Sequence, residues 1–288
     1  MNRESELAIV RQAYAKHVLG AAGITDRRVE KAFAAVRRED FLGPGPWPIL
    51  RWGRGYEQTP DRDPVHLYAD VLVGIITERK LNNGQPSFLA TLIAAGAPQP
   101  GDHGVHIGAG VGYYTAIIAR LVGRSGRMTA IEFDPALAER LRANFTGMKN
   151  VRVVYGDGAR VRFAPADVIY VNAGATRPTD AWLDALTEGG RLILPLTTAD
   201  GFGSLDGAIE RRGAVFRITR RSDEFTAKWI SPVAIFPCEG ARDSDSERAL
   251  AEAFEKGGWE RVTRLYRHAD LPDEQCWLKA PGWCLAYD

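Results

Sequence analysis

The stretch Val105-His106-Ile107-Gly108-Ala109-Gly110-Val111-Gly112-Tyr113-Tyr114 sets three alternate glycines between a short apolar run and a helix-like run, Thr115 to Val122. That order describes a strand, a tight turn and the start of a helix. Glycine in such a turn permits unusual backbone angles and lets a ligand lie against the main chain. The helix start adds free N–H groups and a positive dipole end, suited to a carboxylate or phosphate. The next apolar run, Met128 to Ile131, ends in Glu132, whose carboxylate can accept hydrogen bonds from a ribose diol. A nucleoside ligand is the expectation.

The spacing separates the candidate nucleosides. A dinucleotide turn favours G-x-G-x-x-G, in which the last glycine allows close helix–strand packing. Here the glycines are Gly108, Gly110 and Gly112, and the position a dinucleotide fold wants as glycine is Tyr113. The G-x-G-x-G spacing is that of class I S-adenosylmethionine methyltransferases. S-adenosylmethionine is therefore preferred over a dinucleotide, and over a glycine-rich turn that binds nothing.

Working outward, 288 residues suffice for one large α/β domain or a domain with an appendage. With 45% hydrophobic and 25% charged residues the composition is that of an ordinary globular protein. A net charge of +1, a pI of about 7.7 and the lack of an Arg/Lys stripe count against a nucleic-acid partner. The charged start lacks a signal-peptide core, and no apolar run is long enough to span a membrane, so a cytoplasmic address is expected. Cys238, Cys276 and Cys284 form no C-x-x-C pair and are expected as buried thiols rather than metal ligands.

Helical spacing marks residues 4–20, and Thr25 or Asp26 can cap a second helix through Val36. The segment 43–55 is rich in glycine and proline and reads as a connector or a substrate-side loop, with Trp47 and Trp52 packing on the core or lining a pocket. Asn82-Asn83-Gly84 signals a turn, and Pro86 suits the first turn of a helix over 87–95. From Pro100 the chain alternates: strands at 103–107, 128–132, 151–155, 167–171 and 190–196, and helices at 113–122, 135–145 and about 180–186. That order predicts a Rossmann-like α/β fold with a mostly parallel sheet and the ligand at the carboxyl ends of its strands. Val215 to Arg220 and Lys228 to Phe236 predict an antiparallel hairpin on the sheet edge. Ser244 with Glu247 resembles a capping box opening a helix that Gly257-Gly258 ends, and short strands finish the chain. The expected regions are 1–99, helical with a substrate loop; 100–238, binding the cofactor; and 239–288, an α+β extension whose tryptophans are read as added core.

With the glycine turn, Glu132 and Gly156-Asp157-Gly158 in hand, the chain resembles the protein-L-isoaspartate O-methyltransferase family. The likeness includes DRRVEKAFAAVRREDF at 26–41, Tyr68-Ala69-Asp70, GQPSFLA at 84–90, NVRVVYGDG at 150–158, DVIYVNAGA at 167–175, GGRLILPL at 189–196 and ERRGAVFRI at 210–218. It covers roughly 25–237 and leaves out the last fifty or so residues. The resemblance implies a class I methyltransferase fold and S-adenosyl-L-methionine as cofactor. It implies that Gly108, Ala109, Gly110 and Gly112 border the methionine part, that Glu132 binds the ribose, and that Asp157 and Gly158 bind the adenine. Two positions depart from the family. Gly84 stands where the family has its substrate-side catalytic serine, and His106 stands where the turn usually opens with an acid. Both point to a divergent relative with a different acceptor, and no catalytic residue is assigned.

Methyl transfer displaces a sulfonium directly, so alignment is most of the task. A carboxylate acceptor is ionised at neutral pH and needs no general base, whereas an amine or alcohol usually does. Val171-Asn172-Ala173-Gly174-Ala175 lacks the N-P-P-Y type clamp for a planar nitrogen, which favours carboxyl O-methylation of a peptide or protein. Asn83 and Gln85, flanking the vacant serine position, are candidates to hold the acceptor. A small-molecule or RNA methyltransferase and a non-catalytic cofactor-binding module are the alternatives. His106 is read as a hydrogen-bonded strand residue in preference to a pH-sensitive cofactor contact.

Overall fold

The structure, a computed structural model, describes residues 2–199, 213–268 and 271–287. Residues 210–212, the start of one family-like stretch, lie outside them. Three helices open the chain: α1 Arg3–Ala21, α2 Arg27–Ala35 and the single turn α3 Glu39–Leu42. Asn2 caps α1, and Asp26 caps α2 by accepting from the Arg28 N–H, as the spacing led one to expect. The glycine- and proline-rich segment forms a hairpin, β1 Pro48–Arg51 with β2 Gly55–Gln58. Its two tryptophans separate: Trp47 is buried, while Trp52 stands 72% exposed at the turn. A second short pair, β3 Gly74–Ile76 and β4 Leu81–Asn82, leads into α4 Pro86–Gly96, with Pro86 at its first turn.

The alternating region follows as β5 His103–Ile107, α5 Tyr113–Val122, β6 Arg127–Glu132, α6 Pro135–Asn144, β7 Val151–Tyr155, β8 Ala166–Val171, α7 Asp180–Ala185 and β9 Leu186–Thr197. Then come β10 Gly213–Arg221, β11 Glu224–Pro232, α8 Ser244–Lys256, β12 Arg264–Arg267, β13 Cys276–Ala280 and β14 Trp283–Ala286. One ten-stranded sheet takes the order β13-β14-β12-β11-β10-β9-β8-β5-β6-β7. The run β9 to β7 is parallel and the rest is antiparallel. Every residue of β5 is buried, as a central strand covered on both faces must be. One face packs against α4, α5 and α6, with α1 on α4 and α2 on α5; the other carries α7 and α8, with Trp182, Phe254 and Trp277 among its core. Among the described residues no helix is long and apolar enough to cross a membrane.

Three expectations are corrected. The β10–β11 hairpin is not at the edge: β12, β14 and β13 continue the sheet beyond it, so residues 239–288 share the sheet of the cofactor region. Local pattern shows that strands exist but not which neighbour each will take. Cys276 and Cys284 are bonded to each other across β13 and β14, with Cα atoms 6.3 Å apart, and only Cys238 is a free buried thiol. The tight turn between those strands makes partners of cysteines too few to read as a framework. Finally α8 is capped by Asp243, which accepts from the Ser246 N–H at 2.8 Å, while Glu247 accepts from the Ala199 N–H at 2.6 Å.

The N-terminal half is tied together by Arg38, a fully buried guanidinium. Its Nε donates to Asn83 Oδ1 at 3.2 Å, Nη1 to the Leu67 and Ala69 carbonyls at 2.9 and 3.3 Å, and Nη2 to the Val71 carbonyl at 3.0 Å. Tyr113 lies under it, 5.7 Å from ring centroid to guanidinium carbon. One cation thereby replaces its lost water and holds the chain on either side of the β3–β4 pair. Arg38→Met keeps much of the apolar volume but strands four acceptors. A loss of about 3–5 kcal/mol is expected, read as a fall in the thermal or denaturant midpoint. An unchanged midpoint would contradict this role.

Candidate cofactor and acceptor site

The chain leaves β5 for β6 and β7 on one side and returns to β8 and β9 on the other, so the order reverses between β5 and β8. The crevice at the carboxyl ends of those strands is where an open α/β sheet takes a ligand. The glycine turn sits at that crevice. The Gly108 and Ala109 N–H groups donate to the Ile131 carbonyl at 3.0 and 3.1 Å, binding the turn to β6. Gly112, at φ +98°, has no room for a side chain, because a Cβ would stand 2.6 Å from Leu141 of α6. Gly110, at φ +55°, differs: a Cβ there would meet nothing within 4 Å. The turn is packed behind and open in front.

Glu132, at the end of β6 and only 7% exposed, faces the turn. One carboxylate oxygen accepts from the Gly110 N–H at 2.6 Å and the other from the Asp134 N–H at 2.9 Å. Burial raises its carboxyl above the ordinary value, and the Asp134, Gly110 and Phe133 N–H groups only partly offset that. The ionised form is thus short of donors, and each oxygen retains acceptor capacity. Asp157 follows β7, with one oxygen accepting from the Ala159 N–H at 2.9 Å and the other 3.2 Å from Arg160 Nε. Gly158 is anchored through its carbonyl, which accepts from the buried Trp182 Nε1 at 2.8 Å. The Asn172 N–H donates to the Ile107 carbonyl at 2.8 Å, closing the crevice floor between β5 and β8. Glycine turn, Glu132 and Asp157 therefore meet at one sheet end, with α5 starting from the turn without a side-chain cap.

His106 points away from solvent entirely. Its Nδ1 lies 2.7 Å from Thr115 Oγ1, its ring meets Tyr170 edge-on at 5.0 Å, and Nε2 has no partner among the described residues. Burial alone pushes its pKa down to about 3, so it is neutral at physiological pH. It is a strand residue packed on α5, in line with the preferred sequence reading.

Around the residues expected to hold the acceptor, Asp70 joins two family-like stretches. Its oxygens accept from Gln85 Nε2 at 3.0 Å, the Ser87 N–H at 2.8 Å and the Ser87 hydroxyl at 2.6 Å. Asn83 is buried with its oxygen on Arg38, so it faces the scaffold more than Gln85 does. Gly84 adopts φ +73°, and a Cβ there would stand 3.0 Å from Leu89; its carbonyl accepts from the Tyr114 hydroxyl at 3.1 Å. A serine would be strained at this backbone angle, which is the physical content of the departure at Gly84. Beside Asp70 and Gln85 opens a cavity of about 330 Å³, rimmed by Arg51, Trp52 and Arg54 of the β1–β2 turn. Sequence reasoning named Trp52 but not the two arginines. Arginines in a turn carry no signal until the hairpin places them beside the cavity.

Residues 13–219 match the family described as protein-L-isoaspartate(D-aspartate) O-methyltransferase (PCMT). The chain is 33% identical over 208 residues to a protein-L-isoaspartate O-methyltransferase of Aeropyrum pernix, a match covering 69% of each chain. It is 30% identical over 221 residues to one of Methylorubrum populi, covering 75% of this chain and 89% of the relative. In other relatives the matched share of their length ranges from 92% down to 46%. A solved structure of a protein-L-isoaspartate O-methyltransferase superposes with a TM-score of 0.63 at 23% identity, covering 89% of this chain and 73% of that one.

His106 also sets a pH dependence. The unfolded chain takes up a proton on this residue near pH 6.5, while the folded chain holds it neutral down to about 3. Between those values the unfolded state binds more protons, so stability falls as the pH is lowered, by up to about 1.4 kcal/mol per unit from this residue. His106→Gln should flatten that part of the stability curve between pH 6.5 and 4 relative to the parent. Parallel curves in a denaturant series would show that His106 is not buried as described.

Proposed function

The chain belongs to the protein-L-isoaspartate(D-aspartate) O-methyltransferase family, and on that premise we propose that it transfers a methyl group from S-adenosyl-L-methionine to a carboxylate of a protein or peptide. The observation that carries the reading is the pairing of Gly110 with Glu132: a turn open in front, beside a buried carboxylate still short of donors. A ribose diol supplies such donors, and the fit is to a nucleoside rather than to a phosphate, which Glu132 would repel. S-adenosyl-L-methionine, when bound, supplies an electrophilic methyl group on a sulfonium. Glu132 would hold the ribose and Asp157 with Gly158 the adenine. Gly108, Ala109, Gly110 and Gly112 would border the methionine part, whose carboxylate suits the uncapped start of α5.

The acceptor side is consistent with a carboxylate. Such a nucleophile is ionised at neutral pH and needs no base. Tyr114, the phenol on the Gly84 carbonyl, is kept neutral by burial and acts as a donor. Gln85, oriented by Asp70, faces the cavity, where the guanidinium groups of Arg51 and Arg54 share the rim with the Asp70 carboxylate and pair with Glu57. The two guanidinium groups offer donors to an anionic acceptor, and the exposed Trp52 gives a peptide a surface to lie on. Asn83 would contribute only its amide NH₂, its oxygen being held by Arg38.

Incubation with methyl-labelled cofactor and paired isoaspartyl and aspartyl peptides should yield base-labile label released as methanol. Base-stable label, as in a methylamine, would overturn carboxyl transfer. Glu132→Ala should weaken cofactor affinity by about 10- to 100-fold, the worth of a charged hydrogen bond, with the fold retained by circular dichroism. Unchanged affinity in calorimetry would remove Glu132 from the site.

A further inference from the structure

The segment after β11 lies outside the family-matched residues, yet it runs across the same sheet end as the proposed cofactor site. It is stitched to the loop after β8. The Gly174 N–H donates to the Phe236 carbonyl and the Cys238 N–H to the Gly174 carbonyl, both at 2.8 Å. Further on, the Thr176 N–H donates to the Ala241 carbonyl at 3.0 Å, and the Asp243 N–H to Thr176 Oγ1 at 2.9 Å. Arg242 Nη1 adds bonds to the Gly174 carbonyl at 2.9 Å and to Thr197 Oγ1 at 3.1 Å. A segment held by bonds at both ends has little freedom to move aside.

Between those bonds, Gly240 lies directly against Asp157. A Cβ on Gly240 would stand 2.5 Å from the Asp157 carboxyl carbon and closer still to both oxygens. The neighbouring Cys238 is buried, and its thiol is pushed up to about 12, chiefly by burial and next by the Asp157 charge, with Glu132 a smaller contributor. The segment therefore passes near both carboxylates assigned to the nucleoside.

We propose that the Phe236–Gly240 segment is the outer wall of the adenosyl pocket, and that Gly240 is a positioning residue whose missing side chain leaves the Asp157 carboxylate in place to meet the adenine. The inference rests on the proposed assignment of Asp157 to the adenine. A methyl at Gly240 cannot displace the stitched backbone cheaply, so the aspartate side chain must swing instead. It then gives up the Ala159 N–H and the geometry an adenine amino group needs. Gly257 offers an internal control: like Gly240, at φ +78°, it has positive φ, at +68°, but a Cβ there would meet nothing within 4 Å among the described residues. Alanine at Gly257 reports backbone strain in the extension without touching the pocket.

A double-mutant cycle tests this by calorimetry with S-adenosylhomocysteine on the full chain. Gly240→Ala and Asp157→Ala should each weaken binding by at least about tenfold, as loss of a charge-assisted hydrogen bond does, and Gly257→Ala should not. In the Asp157→Ala background, where nothing is left to clash, Gly240→Ala should change affinity by less than about twofold, since its effect acts through that carboxylate. Parent-like binding by Gly240→Ala, or the same loss in both backgrounds, would overturn the proposal while leaving the cofactor assignment standing. No loss in Asp157→Ala alone would instead remove the assignment. Should Gly240→Ala fail to fold, hydrogen exchange on the parent decides. Ligand should protect the amides of Phe236 and of 238–241 along with that of Gly110, and protection of Gly110 alone would refute the wall.

Discussion

The buried guanidinium of Arg38 is the constraint on which the N-terminal half of the molecule depends. It cannot leave the interior without uncovering three carbonyls and an amide, and it cannot remain unless they surround it. Because those acceptors lie on both sides of the β3–β4 pair, their placement fixes where Asp70 and Asn83 sit. Asp70 in turn fixes the start of α4 through Ser87 and the orientation of Gln85. The order of dependence runs from a charge in the core to a side chain at the cavity. A long irregular region thereby acquires the rigidity that positioning a nucleophile demands.

The cofactor half is organised by a different economy of polar groups. Glu132 is buried with the Gly110, Phe133 and Asp134 N–H groups turned to its carboxylate, and these only partly offset its burial. A ligand bearing hydroxyl donors therefore gains more from this carboxylate than from one in solvent. Gly110 donates to it while leaving the space in front of the turn open, so the same contact shapes the turn and poises the site. His106 contributes to neither charge nor binding in this balance. Neutral and packed on Thr115 and Tyr170, it shows that this turn can open without an acid provided the strand residue finds another partner.

What could be read in the sequence was what neighbouring residues decide. The glycine spacing, Glu132 at a strand end and the βα alternation are local patterns, and the parallel core follows them within a residue or two except in β9, which begins four residues early at Leu186. The parts that escaped are settled at long range. The β10–β11 hairpin reads as an edge because nothing in residues 213–232 announces that β12 will pair with β11. Cys276 and Cys284 become partners only once a turn sets their strands side by side. Asn83 reads as a polar turn residue beside the acceptor, yet its oxygen is taken by an arginine forty-five positions earlier. Gly84 reads as a lost serine, whereas its positive φ and the closeness of Leu89 make glycine the residue this backbone accepts.

The last fifty residues sharpen that distinction. Their tryptophans are added core: Trp277 and Trp283 are buried, and α8 packs on the sheet face opposite the N-terminal helices. Packing of that kind could have been appended anywhere along a sheet edge with no consequence for the site. It was appended beyond β11, so the chain must travel from the end of β11 to α8 past the carboxyl end of β8. That is the end at which an open α/β sheet keeps its crevice. A segment crossing there either obstructs the ligand or lines its pocket. Bonded at Gly174 and Thr176 and bare of side chain where it meets Asp157, this one has the construction of a lining. Topology alone thus turns a stabilising extension into a part of the site.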